Sequence, residues 1–176
     1  EGRAVHWSSL LHWWAAMFAW VDSKVNDVPM AQAVEQVSPW VNTVFLGILL
    51  MVVVPVVARR FGGLPAALFA IGCVACYPVY EFFMVGNFDH HGLASAAAML
   101  SVLFLLAGGA GWVRDDAAVQ ARTTVEETAI WNWLPDATQA RRWFIASGVA
   151  GGAGLWISAA TQMPAPFGIG IAARAA

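Results

Sequence analysis

The chain has 176 residues, of which 60% are hydrophobic and 11% are charged, and its net charge is −2. An average soluble domain carries roughly 25% charged residues, so this surface is too poor in charge for an ordinary soluble globule or a disordered tail. The near-zero net charge also excludes a basic nucleic-acid binder, and no nucleic-acid partner is expected. A mean hydropathy of +0.64 leaves an all-α, polytopic transmembrane helix bundle embedded in the lipid bilayer.

The chain opens on Glu1 without a charged leader and short apolar run, so it does not read as a signal peptide. Its end, Gly168 to Ala176, resembles a span cut short. The whole reads as an internal piece of a longer protein.

The stretch from His6 to Val21 is too short to cross a bilayer. Trp7, Leu10, Leu11, Trp14, Met17, Phe18 and Val21 recur at helical spacing, with Ser8, Ser9, His12 and Ala16 opposite. This pattern predicts an amphipathic helix lying in the outer membrane interface, where indole rings favour the headgroups. A helix packed on the bundle is the alternative. Asp22 and Asp27 around Lys24 read as a solvated turn.

Four stretches are long and apolar enough to span. Trp40 to Ala58 is uncharged and preceded by Ser38-Pro39, an N-cap and first-turn proline pair. Phe61 to Tyr80 follows, then Gly92 to Val113. Pro55 and Pro78 lie within spans and should kink them. Cys73 and Cys76 sit in the second span without further ligands nearby, and read as small packing residues. Trp143 to Ala173 would measure about 46 Å as one helix, too long for one crossing. The Gln162-Met163-Pro164-Ala165-Pro166 segment divides it into a span near 143–161 and the start of another at about 166. Gly148, Gly151, Gly152 and Gly154 suit close helix contact there.

Arg59, Arg60, Arg114, Arg122, Arg141 and Arg142 fall on one side in an alternating topology, while the 81–91 loop has no Arg or Lys. The positive-inside rule makes the Arg side cytoplasmic. The expected organisation is an outer loop with the amphipathic helix (1–38) and three transmembrane helices with an outer turn (39–113). A cytoplasmic loop follows (114–142), with Trp131 and Trp133 in a surface-lying segment. One further transmembrane helix and the start of another complete it (143–176).

All four histidines, His6, His12, His90 and His91, then face outward. The sharpest cluster is Gly86-Asn87-Phe88-Asp89-His90-His91-Gly92, a short turn between two spans with flanking glycines that let the backbone bend. One carboxylate and two imidazoles are ligand types for Mn²⁺, Mg²⁺ or Zn²⁺. Asp89 also fits an ordinary N-cap, and the histidines also fit interfacial anchors. Glu81, at the end of the second span, is a candidate for proton transfer or for supporting the site, or else a solvated interfacial carboxylate. A transporter or non-catalytic membrane partner is a competing class, though no charge lies mid-span. Haem or copper binding ranks lower, because His90 and His91 are neighbours at a span end rather than facing ligands.

An outer turn reading Gly86-Asn87-Phe88-Asp89-His90-His91-Gly92, followed by a small-residue helix, resembles the second acidic motif of the oligosaccharyltransferase catalytic-subunit family. These are membrane glycosyltransferases of type C. Val5-His6-Trp7-Ser8-Ser9-Leu10-Leu11 resembles the first outer loop of proteobacterial relatives, with Ser9 where those write Arg. Gly148 to Trp156 with the Pro164-Ala165-Pro166 break is similar to the family's glycine-rich fifth helix. The likeness covers about residues 4–170, and Asp89-His90-His91 is its specific motif.

The resemblance implies metal-dependent transfer of a sugar or glycan from a polyprenyl phosphate or diphosphate donor to an acceptor. Asp89 and one or both of His90 and His91 would help hold the cation, Mn²⁺ or Mg²⁺. Asp89 is the candidate catalytic carboxylate on this likeness, with Glu81 beside it on position alone. The site would face the periplasm from a bacterial inner membrane. The family's early acidic motif would then lie upstream of residue 1. Its outer acceptor domain is absent here, so this piece alone should be inactive.

Overall fold

The computed structural model describes residues 9–114, 133–159, 163 and 167–168. The described residues are all-helical with no strand, as the composition predicts. The helices are α1 (Ser9–Asn26), α2 (Met30–Val37), α3 (Val41–Phe61), α4 (Gly63–Ala75), α5 (His91–Ala107) and α6 (Ala137–Ile157). They fall into two compact units. One contains the described residues up to Ser95 together with Trp156–Ser158, and the other those of Ala96–Leu155 and Ala159–Ala176. The expectations for His6, Trp7, Arg122, Trp131 and the Pro164-Ala165-Pro166 break lie outside the described residues.

In the first unit α1 packs against α2 and α3. Leu11, Ala15 and Ala19 are buried at four-residue steps, and the Trp14 indole donates to the Val41 carbonyl at 3.4 Å. Trp14 also sets its ring edge-on to Phe18 and Phe45, with centroids 4.8 and 5.9 Å away. The expected apolar stripe is therefore divided. Leu11, Trp14 and Phe18 turn inward, while Met17 and Val21 remain exposed beside Trp13 and Trp20. Alanines let α1 approach closely, so the buried seam follows small size as well as hydrophobicity. α1 is packed on these neighbouring helices. The helix also runs on through Asp22 and Lys24 to Asn26, replacing the expected solvated turn.

Met30–Phe61 forms one helical run, and it is the described segment long and apolar enough to cross a membrane. Its beginning differs from expectation. Ser38 is not an N-cap: its hydroxyl donates back to the Val34 carbonyl at 2.6 Å. Pro39 sits in a 3₁₀ turn, Ser38–Trp40, that joins α2 to α3 without a break. Proline at the start of a turn gives up a backbone donor that has no helical partner there anyway. Pro55 lies inside α3, as the sequence indicates.

The next two apolar stretches make shorter helices than expected, 13 residues in α4 and 17 in α5. Pro78 does not kink a span. Instead α4 stops at Ala75, and Cys76 is already extended with ψ 119°. A proline ring disfavours helical conformation in the residue before it, here Tyr77, so helices usually end at or ahead of that position. Cys73 is buried as a packing residue, but Cys76 is exposed at the helix end. α5 ends where Gly108 and Gly109 begin a 3₁₀ turn, short of the expected Val113.

In the second unit α6 begins at Ala137, six residues before the span expected from Trp143. Asp136 accepts the Gln139 backbone N–H at 2.8 Å. Asp136-Ala137-Thr138-Gln139 is thus a capping-box sequence that starts the helix ahead of Arg141 and Arg142. At 21 residues the helix is about 31 Å long.

α5 meets α6 through a reciprocal serine pair. Ser147 Oγ donates to the Ser101 carbonyl at 2.7 Å, and Ser101 Oγ donates to the Ser147 carbonyl at 3.1 Å. A side chain on Gly151 would begin 3.1 Å from Ser101 Oγ, whereas one on Gly148 or Gly152 meets nothing. Only part of the glycine series therefore serves this contact. Gly151→Leu should lower stability by about 1–3 kcal/mol through overpacking, read as thermal unfolding in detergent. Gly148→Leu should leave the transition unchanged, and equal losses would remove Gly151 from the interface.

Candidate metal centre

The site is the turn between α4 and α5, and α3 holds it. Asn42, one residue into α3, is fully buried. Its Nδ2 group donates to the carbonyls of Asn87 and Asp89, each at 2.8 Å, with a longer contact to Phe82 at 3.3 Å. Thr43 Oγ1 donates to the Phe83 carbonyl at 2.7 Å. The Gly86 N–H reaches the Pro39 carbonyl at 2.9 Å, and Asn87 Nδ2 donates to the Glu81 carbonyl at 2.8 Å. A turn would otherwise present these carbonyls to solvent. Here two side chains at the start of an apolar helix satisfy them and fix the path of the backbone.

The two glycines flanking the motif have different roles. Gly86 adopts φ +91°, a conformation that favours glycine. Gly92 is in the first turn of α5, where a Cβ would lie 3.0 Å from the Phe83 ring and 3.1 Å from the Phe82 carbonyl. Its lack of a side chain lets the 3₁₀ turn Tyr80–Phe83 close against α5. Phe83 is buried there and stacks on Phe45, with centroids 6.4 Å apart.

On this frame Asp89, His90 and His91 come together, and one ligand atom from each lies within 4.8 Å of the others. His90 Nδ1 lies 2.6 Å from Asp89 Oδ1, and His91 Nε2 lies 3.5 Å from Oδ2. The imidazoles are tilted by 34° with centroids 4.4 Å apart. His90 is buried, whereas His91 and Asp89 are about 40% exposed at their side chains. The cluster is thus anchored on one side and open on the other. Nδ1 is the His90 ring nitrogen that faces the carboxylate, and Nε2 lies buried.

A divalent ion such as zinc holds nitrogen and oxygen donors at about 2.0–2.2 Å, so opposed donors stand about 4.0–4.4 Å apart. The observed spread is a few tenths of an ångström wider. The donor set fits such a cation after a small adjustment of exposed side chains.

Glu81 is exposed, and its carboxylate is not in this cluster. The structure joins Glu81 to the site through its backbone carbonyl alone, as the acceptor for Asn87. His12 is exposed on α1 and sets its ring edge-on to Phe88, with centroids 6.2 Å apart. Its imidazole lies next to the turn without joining the three-residue group.

The residues that sequence reasoning missed are Asn42 and Thr43. Their signal was an adjacent amide and hydroxyl at the head of an otherwise uncharged span. Comparisons with protein-family profiles, characterised proteins and solved structures give no match.

Proposed function

We propose that this chain is the metal-binding part of an integral-membrane glycosyltransferase. It would move a sugar or glycan from a polyprenyl phosphate or diphosphate donor on the outer, periplasmic face of a bacterial inner membrane. In this reading the apolar helices form a polytopic bundle, with the shorter α4 and α5 reaching across together with their flanking turns. Asp89, His90 and His91 hold Mn²⁺ or Mg²⁺, and His91 and Asp89 offer the open side to the donor phosphate. Bound there, a divalent cation supplies positive charge against the departing phosphate. Buried His90 orients the carboxylate, and Asn42 fixes the backbone beneath it.

The observation that carries this reading is the gathering of Asp89, His90 and His91 on a turn clamped by α3, at the head of a membrane-length apolar helix. Clamped backbone keeps the donors in place before the ion arrives, which lowers the ordering cost of binding.

Titration of the intact protein in nanodiscs with Mn²⁺, followed by electron paramagnetic resonance, should reveal one saturable site. Transfer from a polyprenyl-linked sugar should stop on chelation with EDTA and return with Mn²⁺ or Mg²⁺. Transfer that persists after complete metal removal would overturn the proposal. Saturable Mn²⁺ binding with no transfer would favour the alternative, a non-catalytic membrane protein or transporter with a metal-binding outer turn.

A further inference from the structure

A cavity of about 360 Å³ opens between the C-terminal half of α1 and the α2–α3 junction. Its walls include Phe18, Val21, Val37, Trp40 and Val44, and its one ionisable lining residue is Asp22. Ligand pockets commonly run from about 300 Å³ upward, with apolar walls and a few polar groups that set orientation. This cavity has that composition.

Asp22 is unusual among these residues. Its Oδ1 accepts the Asn26 side-chain amide at 2.7 Å. Its Oδ2 is buried and accepts no hydrogen bond. No salt bridge to Asp22 forms among the described residues. Lys24, two positions on, is exposed in the last turn of α1. A buried carboxylate oxygen without a donor is costly, and one near a helix C-terminus also faces the negative end of the helix dipole. Both effects call for a cationic hydrogen-bond donor.

The surface beyond the cavity indicates what else that donor carries. Val44 lines the cavity, and Ile48 and Val52 follow it at four-residue steps along α3, exposed by 40%, 37% and 61%. They form an apolar track running from the carboxylate down a membrane-length helix. Trp40 is exposed at the mouth, where an indole suits the headgroup region. A charged head at Asp22 and a hydrocarbon chain along Val44, Ile48 and Val52 together describe an amphiphile.

We propose that this cavity binds an aminophospholipid of the bilayer, with its primary ammonium donating to Asp22 and an acyl chain lying on the Val44–Ile48–Val52 track. The proposal rests on α3 crossing the membrane and is independent of the metal turn and of transferase activity. A primary ammonium carries N–H donors that Oδ2 can accept. The quaternary ammonium of a choline lipid carries none, so the site discriminates between the two headgroups.

The test is native mass spectrometry of the intact protein released from nanodiscs containing equal phosphatidylethanolamine and phosphatidylcholine. One phosphatidylethanolamine should be retained, with preference over phosphatidylcholine of about tenfold, as suits one charge-assisted hydrogen bond. Asp22→Asn should abolish the preference while the thermal unfolding transition stays in place, which reports that the variant is folded. Should Asp22→Asn fail to fold, Val44→Trp at the exposed edge of the cavity should displace the retained lipid. Equal retention of both lipids would overturn the proposal, as would an unchanged preference in Asp22→Asn, or unchanged retention in Val44→Trp where that variant decides. Displacement of the lipid by free ethanolamine at equal concentration would also overturn it, because the apolar track would then contribute nothing.

Discussion

Asn42→Asp should unfold the turn that carries Asp89, His90 and His91 while changing the shape of the side chain hardly at all. The native amide donates from Nδ2 to carbonyls of the turn, two of them at 2.8 Å. A carboxylate in its place has no proton to donate and points negative oxygen at the same carbonyls. Each acceptor left without its donor costs about 1–3 kcal/mol. The two at 2.8 Å together give a loss of about 2–6 kcal/mol, or a fall on the order of 10 °C in Tm for a chain of this size. Mn²⁺ affinity should fall with it, because the donors would no longer be held together. Differential scanning fluorimetry and Mn²⁺ titration of the same preparation check both effects. A variant with unchanged Tm would show that the turn keeps its shape without the clamp.

The contrast between Asn42 and Asp89 shows what the sequence could reveal. Asp89-His90-His91 is legible because its donors are contiguous and chemically conspicuous. Asn42 lies 47 positions away from the Asp89 carbonyl it holds, and nothing local marks that pairing. The same division runs through the helices. Apolar runs locate α3 and α6, and all-α follows from them. Their ends follow from local chemistry that hydropathy does not read. Asp136 caps α6 ahead of two arginines, and Pro78 ends α4 rather than bending it. In α1 the buried seam passes through Ala15 and Ala19, because close approach favours small residues over the large apolar ones that dominate the pattern. Glu81 stands out in the sequence for its charge and its position. It belongs to the site through its carbonyl, a group every residue carries, so the side chain gave no guide to that role.

Asp89→Asn and Asp89→Ala should separate charge from structure at the proposed centre. The Asp89 backbone carbonyl stays in the grip of Asn42 in both variants, so the turn keeps its path. Asparagine retains an oxygen that can accept from His90 Nδ1, whereas alanine removes that partner from a buried imidazole. The native contact is 2.6 Å, and hydrogen bonds to charged groups contribute about 1.5–3 kcal/mol. Asp89→Ala should therefore lose stability of about that size, and Asp89→Asn only a fraction of it. Metal binding should respond differently. Both variants remove the only anionic ligand, leaving two neighbouring imidazoles that cannot offset the charge of Mn²⁺. Loss of a residue that merely supports a ligand lowers metal affinity about 10–100-fold, so loss of this ligand should lower it by about 100-fold or more in both variants. Transfer from the polyprenyl-linked donor should disappear in both, including in the stable Asp89→Asn protein. Wild-type Mn²⁺ affinity in Asp89→Asn would remove the carboxylate from the coordination sphere. It would leave Asp89 a structural partner of His90, and the proposed metal-dependent transfer would then lose its anionic ligand.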